Sequence, residues 1–401
     1  MNINWKTYKL GDICKRVCSG GTPKSTEPSY YGGDIPWLNT KEINFNRIYS
    51  TERCITQKGL DNSSAKWIDT NCVIVAMYGA TAAKVAINKI PLTTNQACCN
   101  LSIDENLADY RFVYYWLCNN YSELASLANG GAQQNLNAQQ IKDFEISLPS
   151  LEEQRRIAGI LGAIDDKIEN NRRINANLES QAQALYKQWF VDNRSDGWEE
   201  KPLAEIAEFI GGYSYKGNEL VDTSTMAMAT IKNFERKGGF KVEGFKDIVA
   251  SPKLKAEQHA KIFDILVAHT DLTQNADVIG NAEILLTCGG YTDIIFSMDL
   301  VKVLPKENFP YKFLLAAMLK NPYFKAHCLG YVNGTTVLHM SKKALPEYVF
   351  ACPSNEEAEK MDNAFKAYYQ KMAEILQENE TLASLRDTLL PKLMNGEIKT
   401  K

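Results

Sequence analysis

Two long stretches of the chain place apolar residues at alternating intervals of four and three, the spacing of one face of a long α-helix. Each stretch follows a serine that can cap a helix, with a glutamate three residues later: Ser150 with Glu153, and Ser354 with Glu357. The rhythm predicts two coiled-coil helices, the second ending at Pro391. The seam positions are Ile157, Leu161, Ile164, Ile168, Asn175, Leu178 and Leu185 in the first helix and Met361, Phe365, Met372, Ile375, Asn379, Leu382 and Leu389 in the second.

The seams contain asparagine as well as apolar residues. Asn175 and Asn379 fall at equivalent positions of the two helices. An asparagine buried in a coiled-coil seam costs stability and fixes the register. We therefore expect these amides to set how the helices align.

The region before each helix mixes short apolar runs with turn residues. Residues 72–76 and 265–268 have the pattern of buried strands, and the Ser19–Pro23 cluster that of a loop. Helical patterns follow over residues 110–127 and 311–329. Each region is therefore predicted to be a globular domain of mixed helix and sheet.

The second half of the chain repeats the first. Trp5, Leu10 and Ile13 match Trp198, Leu203 and Ile206 at an offset of 193, and Phe144 matches Tyr348 at an offset of 204. The growing offset indicates loop insertions in the second half. The predicted domains are residues 1–149 and 193–353, with a spacer helix at 150–192 and a second spacer helix with a C-terminal tail at 354–401. The predicted fold class is α+β, with a pseudo-twofold repeat and two globular domains separated by two long antiparallel helices.

Composition narrows the class of protein. The 401 residues carry a net charge of −3, and the N-terminus lacks the basic and apolar regions of a signal peptide. No apolar run is long enough to cross a membrane, and the ten cysteines and four histidines show no metal-ligand spacing. We expect a cytoplasmic protein with reduced cysteines and no bound metal.

Helix length suggests a geometry. A helix of about 36 residues is roughly 54 Å long, so an antiparallel pair would hold two related domains a fixed distance apart. Such a molecule could read two DNA half-sites with an untouched gap, or it could be an adaptor whose end domains bind proteins. The spacing alone favours neither. The most basic stretch, residues 232–261 with eight basic and four acidic side chains, fits a solvated loop as well as a phosphate-facing patch.

One segment resembles a known family. The run from Leu148 to Leu161, LPSLEEQRRIAGIL, with IDDKI behind it, is similar to the central segment of specificity subunits of type I restriction-modification systems. The Leu10–Ile13, Ser19–Pro23, Ile35–Leu38, Lys41–Ile43 and Asp264–Ala268 segments resemble the target recognition domains of that family. The second helix departs from the pattern, because Ala358 replaces Gln154 and Glu359-Lys360 replaces Arg155-Arg156.

The resemblance implies a function. Each target recognition domain would read one half of a bipartite, asymmetric site in double-stranded DNA. The helices would set the gap and dock two modification (methyltransferase) subunits, optionally with restriction (translocase-nuclease) subunits. The chain itself would hold no cofactor, since S-adenosylmethionine would bind the methyltransferase subunits.

The sequence carries no complete catalytic motif. It lacks the phosphate-binding loop, the dinucleotide-binding glycine motif and the nucleophile elbow. Asn321-Pro322-Tyr323-Phe324 resembles the base-holding loop of amino-methyltransferases, but the second proline and an upstream glycine-rich loop are missing. We interpret it as a helix junction. A methyltransferase or nuclease acting alone remains the alternative, which labelled S-adenosylmethionine would test.

DNA contacts are predicted in polar loops that can reach base edges or phosphates. In the first half the candidates are Thr22, Lys24, Asn39, Thr40, Lys41, Tyr78, Lys84, Gln133, Gln134 and Asn135. In the second half they are Tyr213, Tyr215, Lys216, Lys232, Asn233, His269, Thr270, Thr335, Thr336 and His339. The glutamines are the preferred base readers, since their amides can pair with adenine. Each of these polar residues could also be solvated, and each tyrosine could instead close the core.

Overall fold

The computed structural model describes residues 5–128, 135–335 and 337–398. The chain forms two compact units. Unit 1 comprises Met1–Lys167 and Ala383–Lys401, and unit 2 comprises Ile168–Leu382. Both long helices contribute to both units, so each unit combines segments that are distant in the sequence.

Unit 1 is built from short strands with few helices before the first long helix. Its elements in chain order are β1 (Lys6–Lys9), β2 (Cys14–Ser19), β3 (Tyr31–Leu38), β4 (Asn46–Ile48), β5 (Arg53–Ile55), α1 (Gln57–Asp61), β6 (Trp67–Ile68), β7 (Val73–Ala76), β8 (Val85–Asn88), β9 (Leu92–Thr94), β10 (Cys98–Ile103), α2 (Tyr110–Asn119), α3 (Tyr121–Ser126), α4 (Ala138–Asp143), β11 (Glu145–Leu148) and the start of α5 (Leu151–Lys187). The strands form sheets ordered β2-β10-β7-β8-β4, β5-β3-β9-β6 and β1-β11.

Unit 2 repeats this plan. After a π-helical turn at Gln188–Asp192 come β12 (Glu199–Pro202), α6 (Leu203–Ile206), β13 (Ala207–Gly211), β14 (Met226–Ala229), β15 (Lys246–Asp247), β16 (His259–Ala260), β17 (Ile265–Ala268), β18 (Thr270–Asp271), β19 (Ala282–Ile284), β20 (Asp293–Phe296), β21 (Leu300–Pro305), α7 (Lys312–Leu319), α8 (Pro322–Leu329), β22 (Val332–Asn333), β23 (Leu338–Met340), α9 (Ala344–Glu347), β24 (Val349–Cys352) and α10 (Asn355–Met394). The sheets are β13-β21-β17-β19, β15-β14-β20-β16, β18-β23-β22 and β12-β24.

The predicted repeat is confirmed at the level of single hydrogen bonds. The Leu10 N–H donates to the Phe144 carbonyl over 2.9 Å, and the Leu203 N–H donates to the Tyr348 carbonyl over 2.7 Å. The donors are related by the offset of 193 and the acceptors by the offset of 204. The two offsets therefore describe one repeated unit, in which the same backbone hydrogen bond joins equivalent residues.

The long helices supply apolar side chains to the globular cores. In unit 1, Ile157 and Leu161 of α5 and Leu393 and Met394 of α10 lie in the main core. In unit 2, Met361, Phe365 and Met372 of α10 lie in the main core, with Leu178 and Leu185 of α5 packed against it. None of the fourteen predicted seam residues is exposed. The seam therefore packs against the domain cores as well as against the other helix.

Both helices begin as their serines predict. Ser150 Oγ accepts the Glu153 N–H over 3.3 Å, and Ser354 Oγ accepts the Glu357 N–H over 3.4 Å. The predicted end at Pro391 is wrong, because α10 continues to Met394. Proline removes only one backbone donor, and the Asn395 N–H still bonds the Pro391 carbonyl over 3.0 Å. Gly396, at φ +71°, follows this end in the left-handed conformation that closes helices.

Each of the two shorter helical segments is divided at an asparagine, and the second division is the predicted helix junction. The first divides at Asn120 into α2 and α3, and the second divides at Asn321 into α7 and α8. Asn321 caps α8, since its side-chain oxygen accepts the Phe324 N–H over 2.9 Å and Pro322 takes the first helical position. The capping geometry accounts for the Asn-Pro-Tyr-Phe sequence as a helix junction.

The presence of Ala358 in the second helix, where the first has Gln154, has a structural reason. Gln154 is buried in unit 1, where it accepts the Asp109 N–H at the start of α2 over 3.0 Å. Its counterpart Ala358 is buried among apolar residues in unit 2. There Asp362 performs the capping, accepting the N–H groups of Phe313 and Leu314 over 2.7 and 2.9 Å.

Candidate nucleic-acid interface

Several strand ends of unit 1 meet at one edge. β10 is antiparallel to β2 and β7, with Cys99 opposite Ser19 and Cys98 opposite Ala76. The last residues of β2 and β7 therefore lie beside the first residues of β10. β3 and β9 run parallel and end together, with Leu38 opposite Thr94. The loops that follow these strands are thereby gathered at what we call the loop edge of unit 1: residues 20–24, 39–41, 77–81, 95–97 and 135–136.

Backbone hydrogen bonds connect the loops of this edge. The Gly21 N–H donates to the Thr94 carbonyl over 2.8 Å, and the Asn95 N–H donates to the Leu38 carbonyl over 3.0 Å. The Met77 N–H donates to the Ala97 carbonyl and the Leu136 N–H to the Met77 carbonyl, each over 2.8 Å. The edge is a connected platform, because each loop, or the strand residue directly before it, is bonded to a neighbouring one.

Unit 2 has the same edge. Its loop edge comprises residues 212–216, 230–232, 269–272, 297–299 and 339–340. The Tyr213 N–H donates to the Phe296 carbonyl over 2.7 Å, and the Ser297 N–H donates to the Ala229 carbonyl over 2.9 Å. Two further bonds complete the equivalence: His269 N–H to Asp299 O over 2.8 Å, and Met340 N–H to His269 O over 2.9 Å. Each of these four bonds has a counterpart in unit 1, so residues of the two edges can be paired one by one.

A glycine is required at the same place in both edges. A Cβ atom on Gly20 would clash with the backbone of Thr94 and Asn95, and one on Gly212 would clash with the backbone of Phe296 and Ser297. The loop after the first strand of each main sheet lies directly against the neighbouring turn. Close approach of backbone to backbone is the reason for glycine here.

Most of the predicted contact residues of unit 1 are accessible. Thr22, Lys24, Lys41, Tyr78 and Asn135 are exposed, and Asn39, Thr40 and Lys84 are half-buried. Tyr78 and Asn135 form an isolated antiparallel bridge, so two separately predicted residues are neighbours. Gln133 and Gln134, the preferred base readers, lie outside the described residues.

Some of these side chains already have partners. The Asn39 side-chain oxygen accepts the Lys41 N–H over 3.2 Å and so caps its own turn. The Lys41 ammonium pairs with Glu52, and both side chains are more than half exposed. Such an exposed pair contributes little stability, so this lysine could exchange its carboxylate for a phosphate. Lys84 donates to Asn44 Oδ1 over 2.8 Å.

Three predictions in unit 2 are wrong because the side chains are buried and engaged. Tyr213 is 3% exposed, and its hydroxyl bonds Glu219 and Ser251. Asn233 is fully buried and caps a turn, accepting the Thr230 N–H over 2.8 Å. Thr270 is 3% exposed and donates to Asp299 over 2.9 Å. These three side chains stabilise the loops of the edge from inside the domain and are not accessible to DNA.

The other predicted residues of unit 2 reach the surface. Lys216, Lys232, Thr335 and His339 are exposed, and Tyr215 and His269 are half-buried; Thr336 lies outside the described residues. Burial lowers the pKa of His269, and the nearby charges of His339 and Lys342 lower it further, while Asp299 opposes the shift. The lowered pKa means that the folded protein favours the neutral form of the His269 ring over the charged form.

The basic stretch of residues 232–261 is partly neutralised by local carboxylates. Arg236 pairs with Asp277, Lys241 with Glu235 and Lys255 with Glu257. Lys246 lies over the ring of Tyr215, 5.7 Å from its centroid. Only Lys232 of this stretch belongs to the loop edge, so most of its charge lies elsewhere on unit 2.

Sequence reasoning missed three exposed residues on the edges. Gln96 stands in the short turn between β9 and β10, and its counterpart Met298 stands in the turn between β20 and β21, 55% exposed. Leu272, 66% exposed, follows β18. An offset of 202 between the halves, intermediate between those used above, would have aligned Gln96 with Met298.

The described residues show neither a metal-binding cluster nor a disulfide. Within the described segments, His, Cys, Asp and Glu side chains form no group of three that would hold a metal ion. The ten cysteines are all unpaired thiols. Among the described residues, none of the helices has both the length and the apolar character needed to cross a membrane.

Comparison with known proteins points to the specificity subunits of type I restriction enzymes. Residues 2–180 match the family model described as the type I restriction modification DNA specificity domain. The chain is 26% identical to the MjaIX specificity subunit of a type I restriction enzyme from Methanocaldococcus jannaschii, over 99% of this chain and 94% of that protein. It is 22% identical to the HindI specificity subunit of Haemophilus influenzae, over 98% of this chain and all of that protein.

A solved structure agrees on the fold. The crystal structure of the type I restriction-modification S subunit from M. genitalium covers 98% of this chain, and 96% of its own length is matched, with a TM-score of 0.57 and 19% identity. Over almost its whole length the chain is similar to specificity subunits of type I restriction-modification systems. The resemblance seen in the sequence and the α+β fold class are thus confirmed.

Proposed function

We propose that this chain supplies DNA sequence specificity to a type I restriction-modification complex, and that each loop edge reads one half of a bipartite site. The observation that carries the proposal is the pairing of the two edges, which share their backbone bonds and differ in their side chains. Asn135 corresponds to His339, and both side chains are exposed. Two domains that read different sequences require one framework with different chemistry on it.

Equivalent lysines on the two loop edges fit a second part of DNA recognition, which is contact with the phosphates. Lys24 corresponds to Lys216 and Lys41 to Lys232, so each edge has a lysine at the same two places, and all four are exposed. Contacts to phosphate carry no sequence information and fix the position of a protein on the duplex. Identical lysines beside differing side chains match this division between positioning and reading.

The long helices would set the gap between the half-sites and dock two methyltransferase subunits, with restriction subunits as optional partners. The chain itself would be non-catalytic, and S-adenosylmethionine would bind the methyltransferase subunits. A complex of this kind acts where the chromosome lies, so a cytoplasmic location is part of the proposal.

Co-expression with the modification subunit, followed by a genome-wide map of N6-methyladenine, tests the function. A new bipartite motif with a fixed gap is the expected result. A soluble complex that creates no motif would contradict it and would favour the protein-adaptor alternative. The chain purified alone should transfer no label from S-adenosylmethionine to DNA.

The role of the helices has its own test. Removing residues 168–174 from α5 and 376–382 from α10 takes one heptad from each helix and spares the helix residues that lie in the two main domain cores. Seven residues span about 10 Å of helix, the rise of about three base pairs. We expect the gap of the methylated motif to shorten while both half-sites persist. An unchanged gap would remove the spacer role from the proposal.

A further inference from the structure

Each loop edge contains a short turn, between β9 and β10 in unit 1 and between β20 and β21 in unit 2. The middle residue of the turn is exposed, and hydrogen bonds hold the residues on either side of it. In unit 1 the turn is Asn95-Gln96-Ala97. Asn95 is buried, its side-chain oxygen accepts the Ala97 N–H over 3.1 Å, and its carbonyl accepts the Cys98 N–H over 3.2 Å. Gln96, between these anchored residues, is exposed.

The turn of unit 2 is built in the same way. Ser297 is fully buried, and its carbonyl accepts the Leu300 N–H over 2.9 Å. Asp299 accepts the Thr270 hydroxyl over 2.9 Å, and the Met298 N–H donates to the Tyr213 carbonyl over 2.9 Å. The backbone on both sides of Met298 is therefore held, while its side chain is 55% exposed.

An exposed methionine in this position calls for an explanation. Burial of a large apolar side chain stabilises a protein, and the exposed Met298 forgoes much of that stabilisation. A second large apolar side chain, Leu272 at 66% exposure, lies on the same loop edge. The edge that carries Lys216 and Lys232 thus also carries exposed apolar surface, where a purely solvated loop would be polar.

We infer that Gln96 and Met298 are equivalent specificity-determining residues, Gln96 reading an adenine in the half-site of unit 1 and Met298 contacting the methyl group of a thymine in the half-site of unit 2. The inference rests on the proposed function, which it deepens. The amide of glutamine can donate to adenine N7 and accept from adenine N6, and apolar side chains contact the thymine C5-methyl in the major groove.

The partner of Gln96 is compatible with this role. The Gln96 side-chain oxygen accepts a hydrogen bond from the Thr22 hydroxyl. An amide oxygen has two lone pairs, so it can accept a second bond from adenine, and the amide nitrogen remains to donate. Thr22 would orient the amide before DNA arrives, which reduces the entropy lost on binding.

The first experiment measures binding of the complex with its modification subunits to duplexes carrying base analogues. The wild-type motif is obtained first, and each adenine is then replaced by 7-deazaadenine and each thymine by uracil. With the wild-type complex, one 7-deazaadenine in the first half-site should weaken binding by about 5- to 150-fold. One uracil in the second half-site should weaken it by about four-fold, the equivalent of one methyl group.

Variants assign these losses to the two residues. In Gln96→Ala the penalty for 7-deazaadenine should disappear, and in Met298→Ala the penalty for uracil should disappear, each without effect on the other half-site. Gln96→Glu keeps the acceptor for Thr22 and removes the donor, so its preference should move from adenine towards cytosine, whose amino group a carboxylate accepts. Both side chains are exposed, so these variants should fold as the wild type does.

Matched controls lie at the opposite ends of the same sheets. Gln57 is exposed at the start of α1, beside the beginning of β3, and Val249 is 63% exposed next to the beginning of β14. Gln57→Ala and Val249→Ala should leave both penalties intact. If the penalties persist in Gln96→Ala and Met298→Ala, the inference is overturned while the proposed function stands. If the wild-type complex selects no motif, the proposed function fails, and this inference fails with it.

Discussion

The side-chain amide of Asn171 donates a hydrogen bond to the amide oxygen of Asn379 over 2.9 Å. The same nitrogen donates to Glu378 over 2.8 Å, and Asn171 is 1% exposed. The predicted seam asparagine Asn175 instead donates to the Met372 carbonyl over 3.2 Å. In unit 2, asparagines of α5 and α10 are therefore hydrogen-bonded to each other. The bonded pair is Asn171 with Asn379, and not Asn175 with Asn379, which occupy equivalent positions in the sequence.

Replacing Asn171 tests what this hydrogen-bonded pair contributes. Asn171→Ala removes the donor from Asn379 and Glu378 in a buried site, so we expect the free energy of unfolding to fall by about 1–3 kcal/mol. Asn171→Leu combined with Asn379→Leu should restore stability, because leucine suits a helix seam, but should weaken the alignment of the helices. Urea unfolding measures the first effect, and Asn177→Ala on the exposed side of α5 is the control. Equal stability of Asn171→Ala and the control would contradict the prediction.

Replacing a buried lysine in unit 2 should lower the free energy of unfolding by more than Asn171→Ala does. Lys320, with a side chain 12% exposed, pairs with Glu283 over 2.7 Å and Glu179 over 3.0 Å. Burial alone would lower the pKa of Lys320, but the carboxylates of Glu283 and Glu179 outweigh it and the pKa is raised. Lys320→Met leaves two carboxylates without their cation and should cost about 3–5 kcal/mol in urea unfolding.

The matched comparison removes the charges together. Replacing Glu283 and Glu179 by leucine in the Lys320→Met background should recover most of the loss, since an apolar trio avoids the desolvation of ions. Lys371→Ala, which breaks an exposed pair with Glu374, should change stability by less than about 1 kcal/mol. A triple variant as unstable as Lys320→Met would show that packing, and not charge, dominates at this site.

The shifted pKa of His269 predicts a pH dependence. Its pKa is lowered by burial first and by His339 and Lys342 next, so the folded state favours the neutral ring. A group whose pKa falls on folding contributes stability above its unfolded pKa, about 6.5 for histidine, and this stability is lost as the pH drops through the folded value. Stability should therefore decline below about pH 6.5, and His269→Asn should decline less. Parallel pH profiles of thermal unfolding would refute this.

The glycines of the two edges predict paired effects. Gly20→Ala would push a Cβ into the backbone of Thr94 and Asn95, and Gly212→Ala would do the same at Ser297. Each should cost about 1–3 kcal/mol and weaken recognition of one half-site only. Gly159 in α5 has open space around its Cα, so Gly159→Ala should stabilise the helix by up to about 1 kcal/mol. Methylation of synthetic half-site mutants locates each loss.

The repeat and the helices followed from local patterns. Hydrogen bonds of Leu10 and Leu203 reproduce the two offsets, and Ser150 and Ser354 cap as their sequence contexts predict. These features depend on residues close in sequence or on apolar periodicity. The end of α10 was misjudged for the opposite reason, since the Asn395 bond and the turn at Gly396 outweigh the one donor that Pro391 lacks.

The interface was predicted less well because a polar residue in a loop can serve two purposes. Asn233 and Thr270 have the right chemistry for DNA, but they cap or brace the turns beneath the edge. Only the fold decides which polar side chains point outwards. Met298 was missed because an apolar residue between two strands suggests a core position, and only the buried Ser297 and Asp299 anchors show that it stands clear of the core.

Unit 1 combines two segments that are far apart in the sequence, and this has a consequence for its synthesis. Its core includes Leu393 and Met394, both nearly fully buried against residues from the first part of the chain. The ribosome must make all of residues 168–382 before these two side chains exist, which takes about 10–40 s at usual rates of translation. Until then the apolar surface that Leu393 and Met394 cover in the first unit stays exposed. Early unit 1 is thus a natural client for chaperones, and truncations near the C-terminus should aggregate through its N-terminal half.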